Sequence, residues 1–300
     1  MKLLITGCCG FIGSHLSRIL SIEHEVIGID NLSYGNIDNI KGINMTFMQG
    51  DVCNESLLRN VNVDLIIHLA SQKIPRYDNA YRTLEENMQM NKTILNKCLR
   101  DGSKILFAST SEVYGKNHNY PLNENSDCVF GSPNISRWAY GLSKYWTEQY
   151  IISMSKQFGL KYLICRFFSV YGKNQVSGWW GGVQSAFIEN IKKDEPVTIH
   201  GTGQQKRVFT YIDDLCDAVE LLLPEEGIYN IAGGTKDEIT MYALAMLLYK
   251  LLDKPPNVLF IPYPENYEDT DRKLPDISKL LKLGYTPKMG LYEGLKTILS

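Results

Sequence analysis

The chain has 300 residues, 44% hydrophobic and 21% charged, with 31 Lys and Arg against 33 Asp and Glu for a formal charge of −2. That is a globular balance with apolar content for a sizeable core, in one large domain or two small ones. It offers no electrostatic reason to expect a nucleic-acid or membrane-surface partner, and no apolar run reaches the ~18 residues a membrane-spanning helix needs.

The opening run MKLLITG is too short for a signal peptide, so a cytoplasmic protein is expected. KLLIT (2–6), EVIGID (25–30), MTFMQG (45–50), VDLIIHLA (63–70) and KILFAS (104–109) are short apolar runs, most of them reading as strands buried on both faces. KYLICRFF (161–168) is a sixth. Between them, 11–22, 54–60, 80–101 and 137–158 carry helical periodicity. This alternation predicts an α/β fold with a Rossmann-type doubly wound parallel sheet. From about 173 onward the chain is richer in Gly, Pro and Trp, with SGWWGG (177–182) and PYPENY (262–267). Helices are expected near 183–193, 212–223, 239–252 and 290–299, with short strands between them. The expected organisation is a dinucleotide-binding domain over 1–172, with some later segments interleaved, and a smaller mixed α/β lobe over 173–300.

Cysteines at 8, 9, 53, 98, 128, 165 and 216 are odd in number and form no Cys-x-x-Cys pair. They read as reduced structural thiols, and since no histidine pairs with them at ligand spacing, no metal site is expected.

In KLLITGCCGFIGSHL, Gly7, Gly10 and Gly13 follow the first strand and open a helix. Glycine lets the backbone approach a pyrophosphate, and the helix N-terminus offers unpaired N–H groups and a positive dipole end. Alone, the spacing is equally that of a tight strand-to-helix turn. The second strand, however, ends at Asp30, roughly 20 residues on, where a carboxylate accepts from ribose hydroxyls and repels a 2′-phosphate. The combination points to NAD rather than NADP. Asp51, in QGDV, stands either to meet the adenine amino group or to cap the following helix.

In RWAYGLSKYWTEQY, Tyr140 and Lys144 share a helix face. A phenol with a pKa near 10 is a poor base at neutral pH, and a neighbouring ammonium makes it a better one. Isolated, such a pair signals little beyond a surface helix. It gains meaning after a nucleotide-binding half and after ILFASTSEVYG, an apolar strand that ends in Ser109, Thr110, Ser111 and Glu112.

TGCCGFIGSHL, IDNLSYGN, GDV, HLAS, STSEVYG, YGLSK, RFFSVYG, GTGQQKRVFTYIDD and DRKLPDISK, in that order, resemble the extended short-chain dehydrogenase/reductase family, and within it the NAD-dependent nucleotide-sugar epimerases, dehydratases and decarboxylases. The resemblance implies that Tyr140 takes the sugar C4 hydroxyl proton, assisted by Thr110 and Lys144, as hydride passes to NAD. It places Gly7, Gly10, Phe11, Ile12, Gly13, Asp30, Asn31, Asp51, Val52, Leu69, Ala70, Lys73, Asn87, Ser109, Tyr140, Lys144 and Phe168 along the cofactor. It implies a smaller lobe that binds a nucleotide sugar, expected to be UDP-linked, with Arg207 and Arg272 on the diphosphate and Ser111 and Ser169 toward the sugar; bidentate guanidinium–phosphate bonding gives the arginines their role. Arg76 and the Trp179–Trp180 pair are further candidates for sugar or base contacts, or for an ordinary loop charge and lobe packing. Two departures stand out: Cys8 and Cys9 where relatives carry small residues, and Ser169 where they commonly carry Asn.

A 4-keto sugar can take hydride back on its other face, lose water across C5 and C6, or, with a C6 carboxylate, lose carbon dioxide. The sequence reading favours 4-epimerisation as the broadest outcome. UDP-glucuronate decarboxylation and 4,6-dehydration, with Glu112 as a catalytic group, stay open, as does a non-catalytic NAD-binding sensor or scaffold. A homodimer through 80–101 and 137–158 is the family expectation, and Leu84, Met88, Ile94, Leu95 and Leu99 form the apolar face expected on the first of these.

Overall fold

The computed structural model describes residues 1–73, 79–265 and 267–300, with only the backbone of Trp179 and Trp180. Arg76 and the side chains of that tryptophan pair therefore lie outside the described residues.

The apolar runs of the first half become β1 (Lys2–Thr6), β2 (Glu25–Asp30), β3 (Thr46–Gln49), β4 (Leu65–His68), β5 (Lys104–Thr110) and β6 (Tyr162–Phe167). With Gly227–Ile231 they build a seven-stranded parallel sheet in the order Gly227–Ile231, β6, β5, β4, β1, β2, β3. Leu3 pairs with Val26 on one side and Leu65 on the other. Leu3, Leu4 and Ile5 have no exposed surface, as expected of strands covered on both faces. The chain runs outward from β1 to β3 and then returns to place β4 on the other side of β1. A ligand crevice opens at such a reversal, outside the C-terminal strand ends.

The crossovers are α1 (Phe11–Leu20), α2 (Glu55–Leu58), α3 (Ala80–Asp101) and α4 (Trp138–Phe158). The Asn79 side chain caps α3 by accepting from Arg82 N at 3.1 Å. Gly102 and Gly159, at φ 72° and 73°, end α3 and α4 in the left-handed conformation that glycine adopts freely. Ile94 and Leu95 of α3 join Ile151 and Met154 of α4 in a core with Leu4, Ile66, Ile105 and Ile164.

The buried side of α3 is more polar than its sequence suggested. Thr83, Asn87 and Asn91 are inside, whereas Leu84 is exposed. The asparagines are tolerated because each uses both its amide oxygen and its amide nitrogen in hydrogen bonds to α4 and its surroundings.

The chain divides into two compact units, one of Met1–Val113, Arg137–Arg166 and Cys216–Tyr229, the other of Tyr114–Ser136, Phe167–Leu215 and Asn230–Ser300. The second unit holds helices Val183–Lys192, Met241–Leu251 and Leu291–Leu299. It also holds a parallel strand pair, Val197–His200 with Val258–Ile261. In this unit Ser169 has φ +35°, a backbone that L-residues enter reluctantly and asparagine more readily than most. Ser169→Val should therefore cost ~1–2 kcal/mol in urea unfolding, while Ser169→Asn should be at least as stable as the parent.

Candidate active site

The glycine loop is shaped by close approach. Gly7 has φ +70°, and a Cβ there would stand 3.1 Å from Ala70 N. A Cβ on Gly13 would stand 2.1 Å from Gly7 O, an overlap of backbone with backbone that no rotamer relieves. Gly10 is the extended N-cap of α1 and brings no side chain to cap it. The first turn of α1, Phe11 to Gly13, thus presents backbone N–H groups at the positive end of the helix, which suits a pyrophosphate. Cys8 and Cys9 are buried, and the Cys8 thiol together with the Met45 methyl fills the space that the missing side chain of Gly28 leaves on β2. Burial raises the Cys9 thiol to about 11, with the Asp30 charge adding to it, so both thiols of the loop are held protonated.

Asp30 closes β2 beside this loop. Its carboxylate accepts from Cys9 N at 3.0 Å and from Leu32 N at 2.8 Å, which fixes it at the strand end beside the glycine loop. Asp51 accepts from Cys53 N at 2.8 Å and from the Asn31 amide at 3.0 Å. Burial acts to raise its pKa, but these hydrogen bonds outweigh it and hold the carboxyl below its ordinary value. Val52 is buried beside Asp51, and Lys73 is exposed. The glycine cradle, the helix terminus and the acid at the β2 end together fit a dinucleotide lacking a 2′-phosphate.

Thr110, Ser111 and Glu112 lie where β5 ends and a short 3-10 turn, Ser111–Tyr114, begins. Thr110 Oγ1 accepts from Glu112 N at 3.2 Å, which makes the turn. Tyr140 and Lys144 lie in the first two turns of α4, with Lys144 Nζ 5.8 Å from the centre of the Tyr140 ring. Lys144 is buried; its ammonium donates to Ala108 O at 2.8 Å and sits 4.6 Å from the Phe107 ring centre, so β5 holds it from below. Burial lowers its pKa to about 7, against the raising influence of Glu148.

Several neighbours of this pair were absent from the sequence reading. Glu148, one turn after Lys144, is buried and accepts from Ser109 Oγ. It also takes Arg166 Nε at 3.0 Å and Nη2 at 2.6 Å. The available signal was Arg166 itself, a cation inside an apolar strand, which demands a buried anion. Arg137, immediately before α4, is also buried, and its Nη1 donates to Glu112 Oε2 at 3.2 Å.

A second buried chain of hydrogen bonds crosses from β1 to α4. Leu69 N and Ala70 N both donate to Thr6 Oγ1 at 3.1 Å. The Thr6 hydroxyl therefore donates onward to His68 Nδ1 at 2.7 Å, leaving the proton on His68 Nε2, which donates to Asn91 Oδ1 at 2.9 Å. Asn91 Nδ2 donates to Thr147 Oγ1 at 2.7 Å, and that hydroxyl to Ser143 O at 2.8 Å. Asn87 works in parallel, donating to Ser143 Oγ and to Gln72 O at 3.1 Å. This chain fixes a neutral imidazole. Burial, with the nearby Lys144 charge, lowers the His68 pKa to about 3. Its unfolded value lies near 6.5, so the stability tied to His68 is present above pH 6.5 and drains away as pH falls toward 3. The span corresponds to about 4–5 kcal/mol. Urea titrations of the parent and of His68→Asn should converge across that window, the variant losing less as acid is added.

In the second unit, the expected anion-binding arginines each carry an acid. Arg207 Nη2 donates to Asp269 Oδ1 at 3.1 Å and to Thr270 Oγ1 at 3.3 Å. Arg272 makes a two-point pair with Glu238, at 2.6 and 2.8 Å, and lies 5.3 Å from the Tyr120 ring centre. Phe168 is buried, with its N–H on Ile231 O at 3.0 Å.

A Rossmann sheet with a dinucleotide cradle at its reversal point and a Tyr–Lys pair on the following long helix defines a nicotinamide-dependent enzyme. Residues 3–232 match the NAD dependent epimerase/dehydratase family, and the chain belongs to it. It is 29% identical to UDP-N-acetyl-alpha-D-glucosaminuronate decarboxylase of Bacillus cytotoxicus, over 98% of this chain and 95% of that one. It is 34% identical to UDP-glucuronic acid decarboxylase 1 of Danio rerio, over 99% of this chain and 72% of the relative. Among solved structures, a UDP-glucose 4-epimerase of Thermotoga maritima with UDP-glucose superposes with a TM-score of 0.89 at 30% identity, covering 100% of this chain and 97% of that one. Within the described residues, no helix is long and apolar enough to cross a membrane.

Proposed function

We propose that the protein decarboxylates a UDP-linked hexuronate after oxidising its C4. The observation that carries this choice over dehydration is the Glu112–Arg137 ion pair, 3.2 Å long. Dehydration needs a base at C5 and an acid at C6. A carboxylate paired with a guanidinium is a weakened base, and Ser111 beside it is a feeble acid. Loss of carbon dioxide from a 4-keto uronate needs no base at C5, because the electrons of the C5–C6 bond pass into the adjacent C4 carbonyl. The decarboxylases among the relatives support the same choice.

Bound NAD supplies the hydride acceptor at C4 and returns the hydride at the end. In this reading the first unit holds it: the Gly7–Gly13 loop at the pyrophosphate, Asp30 at the ribose and Asp51 with Asn31 at the adenine. Val52, Leu69, Ala70, Lys73, Asn87 and Ser109 complete its surroundings. Tyr140 removes the C4 hydroxyl proton, Thr110 hydrogen-bonds the same oxygen, and Lys144 stabilises the phenolate. Once the 4-ketone has formed, the C6 carboxylate leaves as carbon dioxide. The resulting enolate takes a proton at C5 from a solvent water, the one proton the net reaction consumes, and the C4 oxygen recovers its own proton from Tyr140 as the hydride returns. Arg207 and Arg272 grip the diphosphate by exchanging Asp269 and Glu238 for phosphate oxygens. The second unit then serves as the nucleotide-sugar lobe.

A second reading, 4-epimerisation of a UDP-sugar, is favoured by the likeness to the Thermotoga maritima epimerase and uses the same oxidation. We also place the enzyme in the cytoplasm as a homodimer joined through α3 and α4, whose surfaces leave Leu84 and Leu142 exposed at 38% each. Incubation with UDP-glucuronate, UDP-N-acetylglucosaminuronate, UDP-glucose and UDP-N-acetylglucosamine, followed by mass and NMR analysis, tests the choice. Release of carbon dioxide from a uronate is expected. A product of unchanged mass inverted at C4, or one lighter by water, overturns decarboxylation.

A further inference from the structure

Arg137, Tyr140 and Lys144 follow one another at intervals of three and four residues, so they lie along one face of α4. Arg137 is 6% exposed, lies 5.0 Å from the Trp138 ring centre and reaches from the start of α4 to Glu112 on the turn after β5. It therefore ties the helix that carries Tyr140 to the turn that follows Thr110. It also sets a buried positive charge against the carboxylate closest in sequence to Thr110.

We propose that Arg137 is a specificity-determining residue that admits a sugar with a negatively charged C6. The inference rests on the decarboxylase reading. In that reading the C4 oxygen lies on Thr110 and Tyr140, and C6 is two bonds beyond C4, so a uronate's ionised carboxylate comes toward the turn on which Glu112 N donates to Thr110 Oγ1. Two carboxylates sharing a site of low dielectric repel each other strongly, and a desolvated anion without a counter-charge is costly. With Arg137 paired to Glu112 the three charges sum to −1 rather than −2. The effect should track the C6 charge and spare the nucleotide and the rest of the sugar. UDP-xylose, the same sugar skeleton without C6, is the neutral control.

Binding is measured by calorimetry on NAD-loaded protein carrying Tyr140→Phe, so that no turnover intervenes. Adding Arg137→Met should weaken UDP-glucuronate at least about tenfold while UDP-xylose stays within about twofold. Arg137→Lys, which keeps the charge, should retain most of the affinity. Adding Glu112→Gln to the Met variant should recover most of the loss, because the repelling anion has gone. Glu112→Gln alone should tighten UDP-glucuronate relative to UDP-xylose, which serves if the Met variant fails to fold. Equal weakening of both ligands would mark Arg137 as a structural residue only and overturn the proposal. So would unchanged selectivity, or no recovery with Glu112→Gln. If the parent releases carbon dioxide from UDP-glucuronate yet selectivity ignores Arg137, the inference fails alone. If the parent neither binds nor decarboxylates any uronate, the decarboxylase reading fails and takes the inference with it.

Discussion

Tyr140→Phe is expected to lower turnover by at least about a thousandfold while leaving NAD affinity within about threefold. The substitution removes one oxygen from a half-buried ring and leaves the ring's packing intact. What it deletes is the only group proposed to take the C4 hydroxyl proton. Lys144 cannot replace it, since its ammonium is engaged with Ala108 O and lies 5.8 Å from the centre of the Tyr140 ring. The lysine carries its own signature. Burial lowers its pKa to about 7, far below its ordinary value, so its charged form is costly in the folded chain. Stability linked to Lys144 is accordingly fullest above about pH 10.5 and is lost as pH falls through about 7. Lys144→Met should remove that dependence and, with the ammonium gone, require a higher pH for whatever rate remains. Isothermal binding of NAD alongside steady-state rates across pH separates these effects.

Glu148→Ala is the larger structural test. Glu148 is 1% exposed and Arg166 4%, so the variant removes the two-point anionic partner of a buried guanidinium and deprives Ser109 of its acceptor. Removing one partner of a buried pair typically costs ~3–5 kcal/mol. An apolar replacement of both partners is far milder, because no charge is left unpaired. Glu148→Leu with Arg166→Met should therefore unfold at higher urea than Glu148→Ala alone. Activity need not follow stability, since the double variant still lacks the anion that raises the Lys144 pKa. A double variant no more stable than the single one would refute a dominant charge penalty at this site.

The fold was legible because its strands announce themselves. Runs such as KLLIT and KILFAS have no polar face, and only a sheet covered on both sides uses them. Gly102 and Gly159 mark the ends of α3 and α4, and Asn79 the start of α3, within a residue or so of the periodic segments. The glycine loop was legible because its chemistry is local. Each of its constraints, Gly13 against Gly7 O above all, acts within a few residues. Groups whose meaning depends on distant partners were not legible in this way. His68, Asn91 and Thr147 are ordinary polar residues until three elements bring them into one chain of hydrogen bonds. Nothing local marks Arg137 for burial, and its meaning comes only when the fold sets it against Glu112. The face expected on α3 is buried at Ile94 and Leu95 but not at Leu84, where hydrophobicity alone places a residue inside while Asn87 and Asn91 take buried positions that the neighbouring helix can satisfy.

Oxidation at C4, with Tyr140 as the base, is the event on which the proposed reaction turns. Stopped-flow mixing of NAD-loaded protein with UDP-glucuronate, carrying either hydrogen or deuterium at C4, observes that event through the absorbance of reduced nicotinamide. A transient reduction slowed about twofold or more by deuterium, and absent from Tyr140→Phe, is the predicted result. Product formed with no reduced nicotinamide and no isotope effect, or at an undiminished rate in Tyr140→Phe, would contradict it.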